Sequence, residues 1–200
     1  VHGVPLYAHM LETRTQRVLA GEQPRFAGRS LVRYTADLGL LTERTNVIHA
    51  VWTDEADLDL IAEAGAVIAH NPVSNLRLGS GVLPFRAARD RDIPIALGVD
   101  EAICGDAVDM WAVVRMAGLI HNITGLVSVL WPSAGEVLDC LWRGGAAAML
   151  RAGELGEWVE GGEYDRFLRG EYRHRTDDAP PYKEDLAAAA QAYREDASNL

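Results

Sequence analysis

His70-Asn71-Pro72-Val73-Ser74-Asn75-Leu76-Arg77-Leu78-Gly79-Ser80-Gly81 directly follows the apolar run Ala66-Val67-Ile68-Ala69. A β-branched run that breaks into a His, two Asn, a Pro and two Gly reads as a buried strand ending in an ordered polar loop. A rigid strand holds amides, a hydroxyl and an imidazole in place, while glycine lets the backbone turn where a side chain would obstruct. The plainer alternative is a capping loop whose Asn and Ser side chains satisfy only its own backbone.

The same strand-then-polar-end pattern recurs on either side. Val4 to Met10 forms a strand candidate ending in His9, with Glu12 three residues on and a helix over Thr13 to Ala20. Gly21 to Gly28 reads as a loop and Ser30 to Leu41 as a short helix. Thr45 to Val51 is the second strand, with His49 near its far end. Thr53 can cap a helix whose Leu58, Ile61 and Ala62 share one face and whose end is marked by Gly65. After the third strand, Ala66 to Asn71, come a helix over Leu83 to Asp90 and a fourth strand, Ile93 to Asp100, again with a charged end. Asp106 can then cap a helix from Ala107 to His121, with Met110, Val113, Val114 and Ala117 facing inward. Ser133 and Glu136 form a capping box for a helix reaching about Leu150. Gly153 to Asp165 reads as a loop, and Leu186 to Arg194 as an Ala-rich helix.

Strands alternating with helices predict an α/β fold with a parallel sheet and right-handed crossovers. Polar residues gathered at the strand ends fit the active face of a (β/α)8 barrel. An open doubly wound sheet competes, but Gly79-Ser80-Gly81 lacks the spacing of a dinucleotide or phosphate loop.

The 200 residues are 48% hydrophobic and 24% charged, ordinary composition for a globular chain with a substantial core. A net charge of -10 argues against nucleic acid and anionic membrane as partners, since phosphate binding needs clustered cations. Apolar runs fall short of a membrane span, and Cys104 and Cys140 make no disulfide framework, so the expected compartment is cytoplasmic.

Imidazoles and a carboxylate at successive strand ends point to a divalent metal site, because neutral His nitrogen and Asp oxygen are ligands for zinc or iron. Glu12 is placed to shuttle a proton, and Asp100 to bind metal and accept a proton from water. Each residue has a simpler reading. His9 can be hydrogen-bonded structure, Glu12 a first-turn Glu favoured by the helix dipole, Asp100 a turn cap, and Cys104 a small apolar filler. His2, His121 and His174 have no strand-end context and read as surface or helix-end residues.

Ala8-His9-Met10-Leu11-Glu12, Val47-Ile48-His49-Ala50, the His70 to Gly81 loop and Ala96-Leu97-Gly98-Val99-Asp100 together resemble the metal-dependent amidohydrolase superfamily. The resemblance covers Val4 to Gly156 and points to its aminohydrolase branch, which contains cytosine, guanine and adenosylhomocysteine deaminases and chlorotriazine hydrolases. It implies a deaminase acting on a C–N bond of a purine, pterin, pyrimidine or triazine, with one divalent metal, zinc ahead of iron. It assigns metal ligation to His9 and Asp100 and catalysis to Glu12, His49 and Asp100. Glu12 protonates the leaving nitrogen, His49 orients the water or polarises the attacked centre, and Asp100 activates the water. His70, Asn71, Ser74, Asn75 and Cys104 border the substrate.

Family members carry a His-x-His pair at the end of barrel strand 1, which this sequence does not supply. The resemblance therefore implies the C-terminal half of a TIM-type barrel, strands 5 to 8 with their helices, over residues 1–152, followed by a helical extension over 153–200. A half barrel exposes a sheet edge, so the expected partner is a second copy or an N-terminal half-barrel. Two other readings stand beside the deaminase: an inactive barrel fragment serving as an assembly subunit, and a barrel enzyme of unrelated chemistry. Glu160-Gly-Gly-Glu-Tyr164-Asp165 faintly echoes a motif of the family's C-terminal sandwich.

Overall fold

The computed structural model describes residues 4–105, 108–125 and 127–156. The chain divides into two compact units, Val1–Ala152 and Gly153–Leu200; the fold below is that of the first. The expected Leu186 to Arg194 helix, the Glu160 to Asp165 motif, His2 and His174 lie outside the described residues.

Four strands, β1 (Leu6–Met10), β2 (Thr45–His49), β3 (Val67–His70) and β4 (Ile95–Leu97), form one parallel sheet in the order β1-β2-β3-β4. Helices α1 (Arg14–Glu22) and α2 (Leu31–Asp37) connect β1 to β2, α3 (Glu55–Glu63) connects β2 to β3, and α4 (Pro72–Arg77) and α5 (Phe85–Arg89) connect β3 to β4. After β4 come α6 (Ala102–Gly105), α7 (Met110–Ile120), α8 (Ala134–Asp139), a π-helical turn (Cys140–Gly144) and α9 (Gly145–Ala148). Because every strand runs the same way, all four C-terminal ends open on one side. Among the described residues no helix is long and apolar enough to cross a membrane.

Strand register decides which residues enter the core. Ala8 pairs with Val47, Val47 with Ile68 and Ile68 with Ile95, so one face of the sheet presents an aligned apolar row. That row packs on Leu58 and Ile61 from α3, Val32 from α2 and Phe85 from α5. Each fully buried aliphatic side chain there contributes about 1.5–3 kcal/mol of transfer free energy. Arg17 of α1 braces the helical layer from outside. It bonds Asp54 and Asp57 at the start of α3, and it donates to the Trp52 carbonyl at 3.3 Å.

Several local expectations change. The polar stretch after β3 is not all loop: Pro72, at the first position of α4, has no N–H to leave unsatisfied there, and its fixed φ suits the first turn. The cap of α3 is Asp54 rather than Thr53. Asp57 three residues on completes a reciprocal capping box with Asp54, while the Thr53 hydroxyl donates to the Ala50 carbonyl at 2.8 Å. Asp109 caps α7 through bonds from Trp111 and Ala112 N–H, and the expected cap Asp106 lies outside the described residues. The Ser133–Glu136 capping box forms as expected. β4 is shorter than its apolar run. Ile93 N–H is turned to the Ala88 carbonyl and Pro94 has no N–H, so pairing starts at Ile95.

The helical segment after α8 lies against the sheet. At Gly144 an added Cβ would come within 1.8 Å of the Ile95 carbonyl oxygen, so only glycine permits this approach. The Ala148 carbonyl, at the end of α9, accepts hydrogen bonds from the Tyr7 hydroxyl at 2.7 Å and the Asn46 amide at 3.1 Å. Those bonds satisfy a helix-end acceptor that has no partner within the helix.

Candidate active site at the strand ends

Backbone geometry aims the side chains. Leu11, His49, Ala50 and Asp100 all have φ between 51° and 75°, a left-handed conformation that costs a non-glycine residue energy. These residues sit where β1, β2 and the segment after β4 leave the sheet. The left-handed turns swing the chain off its strand direction. Glu12 lies outside α1, one residue before its N-cap Thr13, so it is not the first-turn glutamate of the simpler reading. Its N–H donates to Gln16 Oε1 at 2.7 Å, which ties its backbone to the start of the helix.

Three of the expected residues converge. His49 Nε2 lies 3.8 Å from Glu12 Oε2 and 3.9 Å from Asp100 Oδ2, and the ring is buried while both carboxylates remain partly accessible. The exposed His9 ring stands 5.1 Å, centroid to centroid, from that of His49. A buried imidazole between two carboxylates at the open end of a parallel sheet can relay protons between a water and a leaving group.

The His70 to Gly81 stretch surrounds this trio. Ser74 Oγ donates to Asp100 Oδ2 at 2.6 Å, and the other carboxylate oxygen accepts Glu101 N–H at 2.9 Å. Asn75 Oδ1 lies 2.8 Å from His49 Nδ1. Ser80 Oγ lies 3.3 Å from Glu12 Oε1, and the Ser80 carbonyl accepts from the Trp52 indole at 2.7 Å. Asn71 is buried with its Oδ1 against Gly98, where a Cβ would come within 2.3 Å. Cys104 is partly exposed on α6.

His70 leaves the trio and joins another group. Its Nε2 is 3.2 Å from Nε2 of His121, whose ring lies 4.7 Å from that of Phe85. Burial drives the His70 pKa well below the ordinary histidine value, and the neighbouring His121 and His49 lower it further. Burial alone brings His121 down to about 4. Of the two expectations for His121, surface or helix end, the structure gives the helix end: it closes α7, and it is buried. Nothing in the sequence beyond its place after an amphipathic helix could have indicated this, because its partner is 51 residues away.

For a divalent metal the donors are right in kind, an accessible imidazole at His9 and the Asp100 carboxylate. In number they fall short. Among the described residues no group of three or more His, Cys, Asp or Glu side chains could hold a metal ion, whereas a catalytic zinc takes three protein ligands and a water.

A model of the amidohydrolase family matches residues 1–157. The 5-methylthioadenosine/S-adenosylhomocysteine deaminase of Nitratidesulfovibrio vulgaris is 37% identical over 147 residues, which cover 74% of this chain and 32% of that protein. The 5'-deoxyadenosine deaminase of Methanopyrus kandleri is 30% identical over 153 residues, 76% of this chain and 33% of that protein. Among solved structures, a triazine hydrolase from Arthrobacter aurescens superposes with a TM-score of 0.72 at 28% identity, covering 80% of this chain and 34% of the other. An adenosine deaminase from Xanthomonas campestris with bound zinc has a TM-score of 0.74 and covers 98% of this chain and 51% of its own; at 21% identity it speaks for the fold alone. The chain spans about a third of the length of the curated relatives it matches.

Proposed function

Because the chain belongs to the amidohydrolase family, we propose that it carries the C-terminal half of a (β/α)8 barrel, β1 to β4 being barrel strands 5 to 8, of a hydrolytic deaminase. The substrate is a nitrogen heterocycle, a purine nucleoside before a pterin, pyrimidine or triazine, in keeping with relatives named for adenosine derivatives. The observation that carries the reading is the convergence of Glu12 and Asp100 on His49 Nε2 at 3.8 and 3.9 Å.

In this scheme a water adds to the ring carbon bearing the amino group, and the C–N bond breaks to release ammonia. Asp100 takes a proton from the water, Glu12 delivers one to the departing nitrogen, and His49 orients the water between them. A divalent metal, zinc ahead of iron, held by His9 and Asp100 together with ligands from outside the described residues, supplies acidification of that water when bound. His70, Asn71, Ser74, Asn75 and Cys104 form the wall beside the substrate. The protein is cytoplasmic and works with a second copy or an N-terminal half-barrel. Val108, Trp111, Ile123 and Val129, each 67% to 81% exposed, support association with a partner.

The lack of a third metal donor among the described residues favours a second reading, an inactive subunit of an assembly. The two separate by experiment. The chain, alone and together with the polypeptide completing its barrel, is incubated with zinc and in turn with adenosine-type nucleosides, amino-pterins, aminopyrimidines and aminotriazines, and ammonia and bound metal are measured. The deaminase reading expects stoichiometric zinc and ammonia release in the completed protein. Zinc-free protein with no ammonia from any of the four heterocycle classes would overturn it.

A further inference from the structure

The stretch from Asn71 to Gly81 reaches every member of the Glu12–His49–Asp100 trio, and it does so through residues of one folded turn. Ser74 and Asn75 are adjacent on α4 and both are 1% exposed, yet the first bonds Asp100 and the second bonds His49. The Asn75 carbonyl then accepts the Ser80 N–H at 2.8 Å, and the Ser80 hydroxyl turns to Glu12. With Gly81 packed on Val51 and the Ser80 carbonyl held by Trp52, this turn is fastened to the β2 end that presents His49.

The contact at Asn75 has a chemical consequence. A carbonyl oxygen only accepts, so a histidine nitrogen bonded to Asn75 Oδ1 must carry the hydrogen. We propose that Asn75 is a positioning residue that fixes the Nδ1–H form of His49 through its side-chain oxygen, so that His49 meets Glu12 and Asp100 through Nε2 alone. Nδ1 is occupied by a fixed acceptor 2.8 Å away, and the second nitrogen becomes the one site on the ring for exchange with the two carboxylates. Ser74 does the matching work for Asp100. Its hydroxyl takes one lone pair of Oδ2 and fixes how the carboxylate faces the ring.

The inference rests on the proposed function for its catalytic meaning, but its test does not need turnover. The chain is labelled with ring-15N histidine, and the His49 signals are identified by their loss in His49→Gln. A protonated, pyrrole-type Nδ1 is expected in the unaltered chain, retained in Asn75→Asp, which still accepts, and lost to a mixed population in Asn75→Leu. A pyridine-type Nδ1 in the unaltered chain would overturn the proposal, as would unchanged His49 signals in folded Asn75→Leu. In the completed enzyme, Asn75→Leu should lower kcat by about 10- to 100-fold. If no activity exists in any preparation, the deaminase reading fails, and the nitrogen spectra still decide the role of Asn75.

Discussion

Two pairs of neighbouring imidazoles stand at nearly the same spacing, His9 with His49 at 5.1 Å and His70 with His121 at 5.2 Å, in opposite surroundings. His49 faces two carboxylates and an amide oxygen at the open end of the sheet. His70 and His121 face each other under Phe85, and each has a buried Nδ1 without a hydrogen-bond partner among the described residues. The residue type is the same. The neighbours make one pair suited to moving protons and hold the other neutral as part of the core.

Charge removal at the first pair should break this contrast most strongly. Asp100→Asn and Glu12→Gln, each sparing shape, are expected to lower ammonia release by the completed enzyme by about 10²- to 10⁴-fold with folding intact. Steady-state kinetics beside thermal melts would check it, and near-normal turnover in both variants would erase the distinction between the pairs.

The second pair should answer to pH instead. Its histidines bind protons more weakly in the folded protein than in the unfolded chain, whose value is about 6.5. Their contribution is therefore complete above pH 6.5 and is lost as pH falls toward the folded value of about 4 for His121. For His121 alone the loss is about 3 kcal/mol over that range, the unfolded state taking up the proton. Urea midpoints between pH 7 and 4.5 measure it. His121→Leu should flatten the slope and cost about 1–3 kcal/mol at pH 7 by leaving the buried His70 Nε2 unpaired. An unchanged slope would mean that the pair is not the source of the acid sensitivity.

The smallest effect is expected at the rim of the first pair. The Ser80 hydroxyl meets Glu12 at 3.3 Å, a long bond, so Ser80→Ala should alter turnover by only a few-fold and stability by less than about 1 kcal/mol. A larger drop in kcat would place Ser80 beside Asn75 as a holder of the trio.

The fold was largely legible. Alternation of apolar runs with amphipathic segments identified β1 to β4 and most of their connections; β2, β3 and β4 are buried along most of their length and keep the Val/Ile content such strands need, while β1 is buried only at Met10 and was marked by its apolar run alone. Caps were less secure. Thr53 and Asp54 are both good capping residues, and only Asp57, folding back in the helix, selects Asp54. The candidate site was legible as a set of residues, His9, Glu12, His49 and Asp100, since strand-end polar groups share one side of any parallel sheet. Their mutual geometry was not. Leu11, His49 and Asp100 adopt left-handed backbone at positions where no glycine marks the turn.

The order of elements, the side of the sheet that carries polar chemistry and the family were thus fixed by the linear sequence, because each depends on local periodicity or on short contiguous motifs. Tertiary structure alone decided three things: that Ser74 and Asn75, neighbours on one turn, serve different members of the trio; that His121 pairs with His70; and that Asp100 faces His49. Those contacts join residues 26 to 51 positions apart. Only packing, which closes such distances by burying the apolar face of the sheet, can specify them.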